Sequence, residues 1–211
     1  MRYHRLMWRL CLRRQLEAAG VDPDLLACVV VGGSALIGFC APMLKRKSEG
    51  RRAPRMIAVE SAAAASMTKG VYTYGSVNRG GRLGLLERVY VLDADYVPPS
   101  LQAGGLRSKG VAAPLSHIVH HGLVEPVTVD EGAAMRAAVT FPRAEGIVPS
   151  PENAYTMKRI MDEALACREA GASCTLVFCL TGSGLLDLPA YQEALAVDAP
   201  DCHAKSSPVD R

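Results

Sequence analysis

From residue 25 onward, short continuous apolar runs alternate with longer stretches in which apolar residues recur every three or four positions. The runs Leu25 to Val31, Met56 to Val59, Arg88 to Leu92, Glu125 to Val129 and Thr175 to Leu180 predict strands. The first, second and last lack polar alternation, which marks strands buried on both faces. Between them the pattern predicts helices over Ala35 to Leu44, Val111 to His121, Glu131 to Phe141 and Asn153 to Ala170, with a last one over Pro189 to Ala196. An amphipathic helix from Trp8 to Ala19, stopped by Gly20, precedes the first strand. Asp130 stands where a helix N-cap is needed, and Gly122 and Gly171 where helices must stop. Gly70 to Arg82 is rich in Gly and Tyr with little periodicity and reads as a long loop. The alternation of strand and helix predicts an α/β fold, a mainly parallel sheet flanked by helices.

Composition adds bounds to that picture. The chain has 211 residues, of which 49% are apolar and only 5% aromatic, which suits closely packed helices on a sheet. A net charge of +3 is too small to argue for a nucleic-acid partner, and no run approaches the length of a membrane span. The pattern divides the chain into an N-terminal helix within 1–20, an α/β domain over 21–197 and a polar tail over 198–211 that reads as disordered. Seven cysteines occur without a CxxC pair. An odd count with no framework spacing favours a reducing compartment, with Cys28 and Cys179 acting as small hydrophobes in strands. The Arg-rich start has the look of a transit peptide but lacks a secretory core, so a cytoplasmic location is expected.

Two glycine-rich turns follow predicted core strands directly: Val31-Gly32-Gly33-Ser34-Ala35, and Thr181-Gly182-Ser183-Gly184. Ligands of open parallel sheets bind at the carboxyl ends of strands. A Gly-Gly-Ser turn entering a helix offers bare backbone N–H groups, a hydroxyl and the positive end of a helix dipole, which together suit a phosphate. The same turn also serves as a plain tight corner. His120 and His121 are adjacent and point in different directions on a helix, so no metal site is expected.

The order of motifs narrows the reading. Gln15-Leu16-Glu17, Gly32-Gly33-Ser34, Ile57-Ala58-Val59-Glu60, Thr68-Lys69-Gly70 and Asp95-Tyr96-Val97-Pro98-Pro99 come first. Ala103-Gly104-Gly105-Leu106-Arg107, Glu145-Gly146-Ile147-Val148-Pro149 and Gly182-Ser183-Gly184 follow. This series, from about Leu12 to Ala196, resembles the C-terminal half of tryptophan synthase beta chains of the second class. The resemblance implies a fold type II enzyme dependent on pyridoxal 5'-phosphate (PLP), a carbon–oxygen lyase of two α/β domains with the cofactor between them, here without its N-terminal domain.

By that resemblance Gly32, Gly33 and Ser34 hold the cofactor phosphate, and Thr181, with Gly182 beside it, meets the pyridine nitrogen where the family has a serine. A neutral hydroxyl there leaves the nitrogen largely unprotonated, which suits β-elimination and β-replacement. Asp95 matches an aspartate near the substrate hydroxyl, and Glu152 a glutamate near the cofactor ring; an acidic residue in a first helical turn is also favoured by the dipole alone. The family pattern of three glycines, serine and asparagine is altered by Val31 and Ala35, and Asn153 and Tyr155 stand where serine and histidine are usual.

The implied reaction joins L-serine and indole to give L-tryptophan and water. It needs a lysine that carries the cofactor, and in the family that lysine follows a histidine. None of Lys45, Lys47, Lys69, Lys109, Lys158 and Lys205 does so. The expectation is therefore a fragment that works as a homo-oligomer or with a complementing N-terminal half. The alternatives are a degenerate half-domain used as a binding or interaction module, and a serine or threonine dehydratase-like protein. A plain nucleotide-binding domain lacks support, since no G-x-G-x-x-G follows a strand.

Overall fold

A computed structural model describes residue 12 and residues 14–76 and 86–198. The start of the first expected helix, part of the expected loop and the tail beyond residue 198 lie outside the described residues. In chain order the elements are α1 (residues 14–19), β1 (Leu25–Val29), α2 (Ser34–Ser48), β2 (Arg55–Ser61), α3 (Ser66–Lys69), β3 (Val71–Ser76) and β4 (Leu86–Val91). Then come α4 (Ala113–His120), β5 (Glu125–Val129), α5 (Glu131–Glu145), α6 (Pro151–Glu169), β6 (Leu176–Phe178) and α7 (Leu188–Asp198).

Four strands form a parallel sheet in the order β5-β2-β1-β6, with Ala27 opposite Ile57 on one side and Phe178 on the other. Successive side chains of a strand point to opposite faces, and both faces are covered. Leu26, Cys28 and Val30 pack with Met56 and Ala58 against Leu36, Phe39 and Cys40 of α2 and Leu115 and Val119 of α4. Leu25, Ala27 and Val29 pack with Ile57 and Val59 against Ala134, Met135 and Ala138 of α5, Ala154 and Tyr155 of α6, and Tyr191 of α7. This two-sided burial is why the strands read as unbroken apolar runs. Each large side chain so buried contributes about 1.5–3 kcal/mol.

Strand order places the functional end. From β1 the chain crosses through α2 to β2 and on to β5, whereas β6 returns to the opposite side of β1 by way of α5 and α6. The turns leaving β1 and β6 therefore diverge to opposite faces of the sheet. The crevice they leave at the carboxyl ends is where ligands bind in open parallel sheets.

Several elements depart from expectation. Part of the expected loop is strand: β3 pairs antiparallel with β4, Val71 opposite Val91. Its alternating β-branched and aromatic residues, Val71, Tyr72, Thr73 and Tyr74, suit a strand, and the neighbouring glycines disguise it. Helix α5 runs past Phe141 through Pro142 to Glu145 and stops at Gly146, whose φ of 71° serves as a left-handed C-cap. Proline late in a helix loses one backbone bond but still occupies the final turn.

Two of the cysteines pair, which the spacing along the chain does not indicate. Cys167 at the end of α6 and Cys174 before β6 form a disulfide, because the turn at Gly171 (φ 62°) folds the chain back. Cys28 and Cys179 are buried as small hydrophobes, and Cys40 joins them. The Cys28 thiol is pushed up by its hydrogen bond with Cys179 and by burial, and burial likewise pushes Cys40 up. No helix among the described residues is long and apolar enough to cross a membrane.

Candidate cofactor site

A cavity of about 380 Å³ opens between the carboxyl ends of β1 and β6. Gly32, Gly33 and Ser34 form one wall, and Glu152, Thr181 and Gly182 the other. Val31, Ser150 and Asp187 complete its rim. Six of the seven residues singled out from the sequence thus meet around one space.

The first wall is the start of α2. Gly33 is its N-cap at φ 98°, a left-handed conformation that a side chain would strain. A Cβ there would also lie 2.6 Å from Leu115 Cδ2, so the turn packs directly on α4. The Gly32 carbonyl accepts from the Ala112 N–H at 3.1 Å, which fixes the turn to the start of α4. No side chain caps the helix and its first turn holds no acid. Its leading N–H groups therefore face the cavity with the positive end of the dipole behind them. Nothing stands within 4 Å of the position a Cβ on Gly32 would occupy, so the backbone is open to a ligand. Val31 is half-exposed along the cavity edge rather than folded over the turn.

The second wall depends on Asn153, which the sequence marks only as a departure from the family. Among the described residues strand β6 is an edge, and beyond Cys179 no neighbouring strand pairs with it. Asn153, buried in the first turn of α6, substitutes for that strand. Its Oδ1 accepts from the Thr181 N–H at 3.2 Å, and its Nδ2 donates to the Thr181 carbonyl and to Ser150 Oγ. Ser150 Oγ donates to the same carbonyl. The Thr181 peptide is held by side chains on both sides, which aims the turn into the cavity. Gly182 follows at φ 78°, and Gly184 presses so close to Pro149 that a Cβ would lie 2.0 Å from its carbonyl oxygen. Tyr191 donates to that carbonyl, and burial pushes its phenol up to about 12, with Asp187 and Glu152 adding to the effect.

Glu152 Oε1 accepts from the Gly105 N–H at 3.2 Å. It thereby ties the Ala103–Arg107 loop to the start of α6, while Arg107 donates to the Pro98 carbonyl at 3.0 Å. Two of the loop motifs quoted above are thus joined through that guanidinium, and the carboxylate holds one of them to α6. Asp95 is not brought to the cavity. It is exposed in the turn after β4, its N–H bonded to Asp93 Oδ1 at 2.9 Å. Its neighbours Asp93, Ala94 and Tyr96 line a separate cavity of about 630 Å³ with Lys69.

These donors fit a phosphate attached to a flat ring: bare N–H groups and a hydroxyl at one end, a hydroxyl-bearing turn at the other. Among the described residues no lysine lines the smaller cavity. Lys47 donates to the Gly122 and Leu123 carbonyls, Lys109 to Ala94, and Lys158 pairs with Asp162.

Comparison with known proteins decides the family. Residues 3–182 match the family described as pyridoxal-phosphate dependent enzyme. The chain belongs to this family. Among its relatives, tryptophan synthase beta chain 2 of Aeropyrum pernix is 40% identical over 208 residues, 99% of this chain and 46% of the relative. The same-named protein of Thermotoga maritima is 39% identical over 188 residues, 89% of this chain and 44% of the relative. The chain thus spans less than half the length of these relatives.

Solved structures agree on the fold, which is that of fold type II enzymes. A threonine deaminase from T.th. superposes with a TM-score of 0.59 at 22% identity, covering 83% of this chain and 54% of that one. A fungal L-serine ammonia-lyase from Rhizomucor miehei gives 0.62 at 16% identity, covering 90% and 55%.

Proposed function

We propose that the cavity between β1 and β6 holds pyridoxal 5'-phosphate, and that the chain is part of a tryptophan synthase beta-type enzyme that joins L-serine and indole to give L-tryptophan and water. The observation that carries this reading is the convergence of an uncapped helix start and the Thr181 turn on one cavity at the switch point of the sheet. Gly32, Gly33 and Ser34 offer N–H groups and a hydroxyl to the phosphate. Thr181 offers a neutral hydroxyl to the ring nitrogen, with Gly182 leaving room beside it and Glu152 standing at the ring edge. When bound, the cofactor supplies the electron sink for β-replacement. Asp95 takes no part in this reading.

The remaining chemistry needs an amine that this cavity does not provide among the described residues, so the proposal includes a second half that brings it. The rim suits such a partner: Leu186 is 91% exposed, and Val31, Leu185 and Leu188 are exposed near it. Exposed apolar groups around a cleft mark a contact surface. The 21–197 region is, on this proposal, the cofactor-binding domain, working in the cytoplasm. The absent lysine equally favours a second reading, a half-domain retained for binding without chemistry.

One titration tests the cavity assignment and the need for a second half. PLP added to the purified chain should bind saturably, and Ser34→Ala should weaken it about tenfold, as expected for a hydrogen bond to a charged group. Borohydride reduction with mass mapping should label no lysine beyond a denatured control. Binding that is absent, or indifferent to Ser34→Ala, overturns the cavity assignment. A single lysine labelled at low PLP overturns the need for a second half.

A further inference from the structure

Three of the five histidines, His117, His120 and His121, lie exposed at the C-terminal end of α4, away from the cofactor cavity. The sequence reading weighed His120 against His121, which are neighbours on the chain. The pair that shares a helix face is His117 and His121, four residues apart. The His121 N–H donates to the His117 carbonyl at 3.1 Å, so helical geometry continues through both. Their rings stand 4.2 Å apart, centroid to centroid, at an interplanar angle of 67°. His120 is engaged elsewhere: its ring stacks on Tyr72 at 4.1 Å, with Nδ1 3.5 Å from the Tyr90 hydroxyl.

We propose that His117 and His121 form a two-imidazole site for a divalent transition metal ion of the nitrogen-preferring class, such as Ni²⁺ or Zn²⁺, with water filling the other positions. Metal–nitrogen bonds of about 2.0–2.1 Å hold two adjacent imidazole ligands with their centroids about 4.5–5.2 Å apart. The rings start slightly closer and edge to face, and both are exposed, so a rotation of each side chain turns one nitrogen of each ring toward a shared ion. Imidazole is the protein ligand that suits such ions, and neutral rings are required to bind them. Lys47, bonded to the carbonyls of Gly122 and Leu123 just beyond the pair, places a positive charge nearby and moderates the affinity.

The test is calorimetry of Ni²⁺ binding to the tag-free chain at pH 7.5. One ion should bind per chain, and His117→Ala or His121→Ala should each weaken it by about tenfold or more. His120→Ala, and a double His4→Ala/His203→Ala variant, should leave affinity within about twofold. The three helix side chains are exposed, so the variants should fold, and circular dichroism verifies that each does. No saturable binding, binding that survives loss of both His117 and His121, or an equal loss in His120→Ala each overturns the proposal.

Discussion

Asn153 offers the sharpest test of how the site is built. In Asn153→Ala the Thr181 N–H loses its side-chain partner, the carbonyl loses one of two, and Ser150 Oγ loses the bond it accepts from Nδ2. A backbone group left unpaired on burial costs about 1–3 kcal/mol. Thr181 is only half-buried, so water reaches part of its peptide and the cost falls toward the low end. Ser150 Oγ still donates to the carbonyl at 3.3 Å, which removes a further share. Asn153 itself is buried, so truncation also leaves a small void beside α6. The sum is about 2–3 kcal/mol.

For a chain of this size each kcal/mol shifts Tm by about 2–4 °C, so thermal denaturation should show a fall of about 4–12 °C. The loss should reach the ligand as well. With the Thr181 turn released, PLP affinity should drop more than affinity for inorganic phosphate, which the α2 wall holds without the turn. Loss of stability below about 0.5 kcal/mol would show that β6 is ordered by other contacts. An equal fall for PLP and phosphate would refute the division of the cavity into two walls.

Other consequences are as direct. Gly33→Ala forces a side chain into a left-handed position and against buried Leu115, so urea denaturation should show a loss of about 2–4 kcal/mol, with phosphate affinity falling too. Breaking the Cys167–Cys174 disulfide frees a loop of eight residues and should lower stability by about 2–3 kcal/mol; a reductant should shift the urea midpoint of the wild type and not that of Cys167→Ser. Burial holds the Glu60 carboxyl above its usual 4.5 even though Met67, Thr68 and Ser66 donate to it. The folded state therefore binds this proton more tightly than the unfolded chain, and the Glu60 contribution to stability declines as pH rises above 4.5. Glu60→Gln should flatten that part of the pH–stability curve, and a curve parallel to the wild type would contradict the assignment.

Much of the architecture was legible because both faces of the sheet are buried. Leu25 to Val29 and Ile57 to Val59 carry no polar interruption, and only a covered parallel strand tolerates that. Strand Glu125–Val129 and the Asp130 cap, whose Oδ1 accepts from Ala133 N–H at 3.1 Å, follow from strictly local signals. What escaped was decided by which segments pair, not by the pattern within either segment. Strand β3 exists because β4 pairs with it, and Cys167 meets Cys174 because Gly171 reverses the chain. Asn153 stands out in the sequence only as a departure from the family. Its role depends on β6 being an edge strand, and strand order is not written in a local pattern. The Gly32–Ser34 wall of the cavity was legible because Gly-Gly-Ser into a helix is itself local; the separation of Asp95 from the cavity was not, since it depends on how the β4 hairpin lies.

The division of labour in this chain follows from that same topology. A switch point needs only the carboxyl ends of two neighbouring strands and the helices that leave them in opposite directions. Strands β1 and β6, with α2 leaving on one face and α7 on the other, supply all of it within residues 25–198. Each wall is fixed from inside this unit, the first by Gly33 on Leu115 and the second by Asn153 on Thr181. A preorganised binding cavity can thus exist on one sheet, without help from beyond it. Group-transfer chemistry is a different demand, because the attacking amine must approach the cofactor from the open side of the crevice. That side is where the cavity meets solvent and where Val31 and Leu186 stand uncovered. On the proposed function, binding and catalysis are therefore separable in this fold: the two walls serve the first, and the second depends on what closes over the rim.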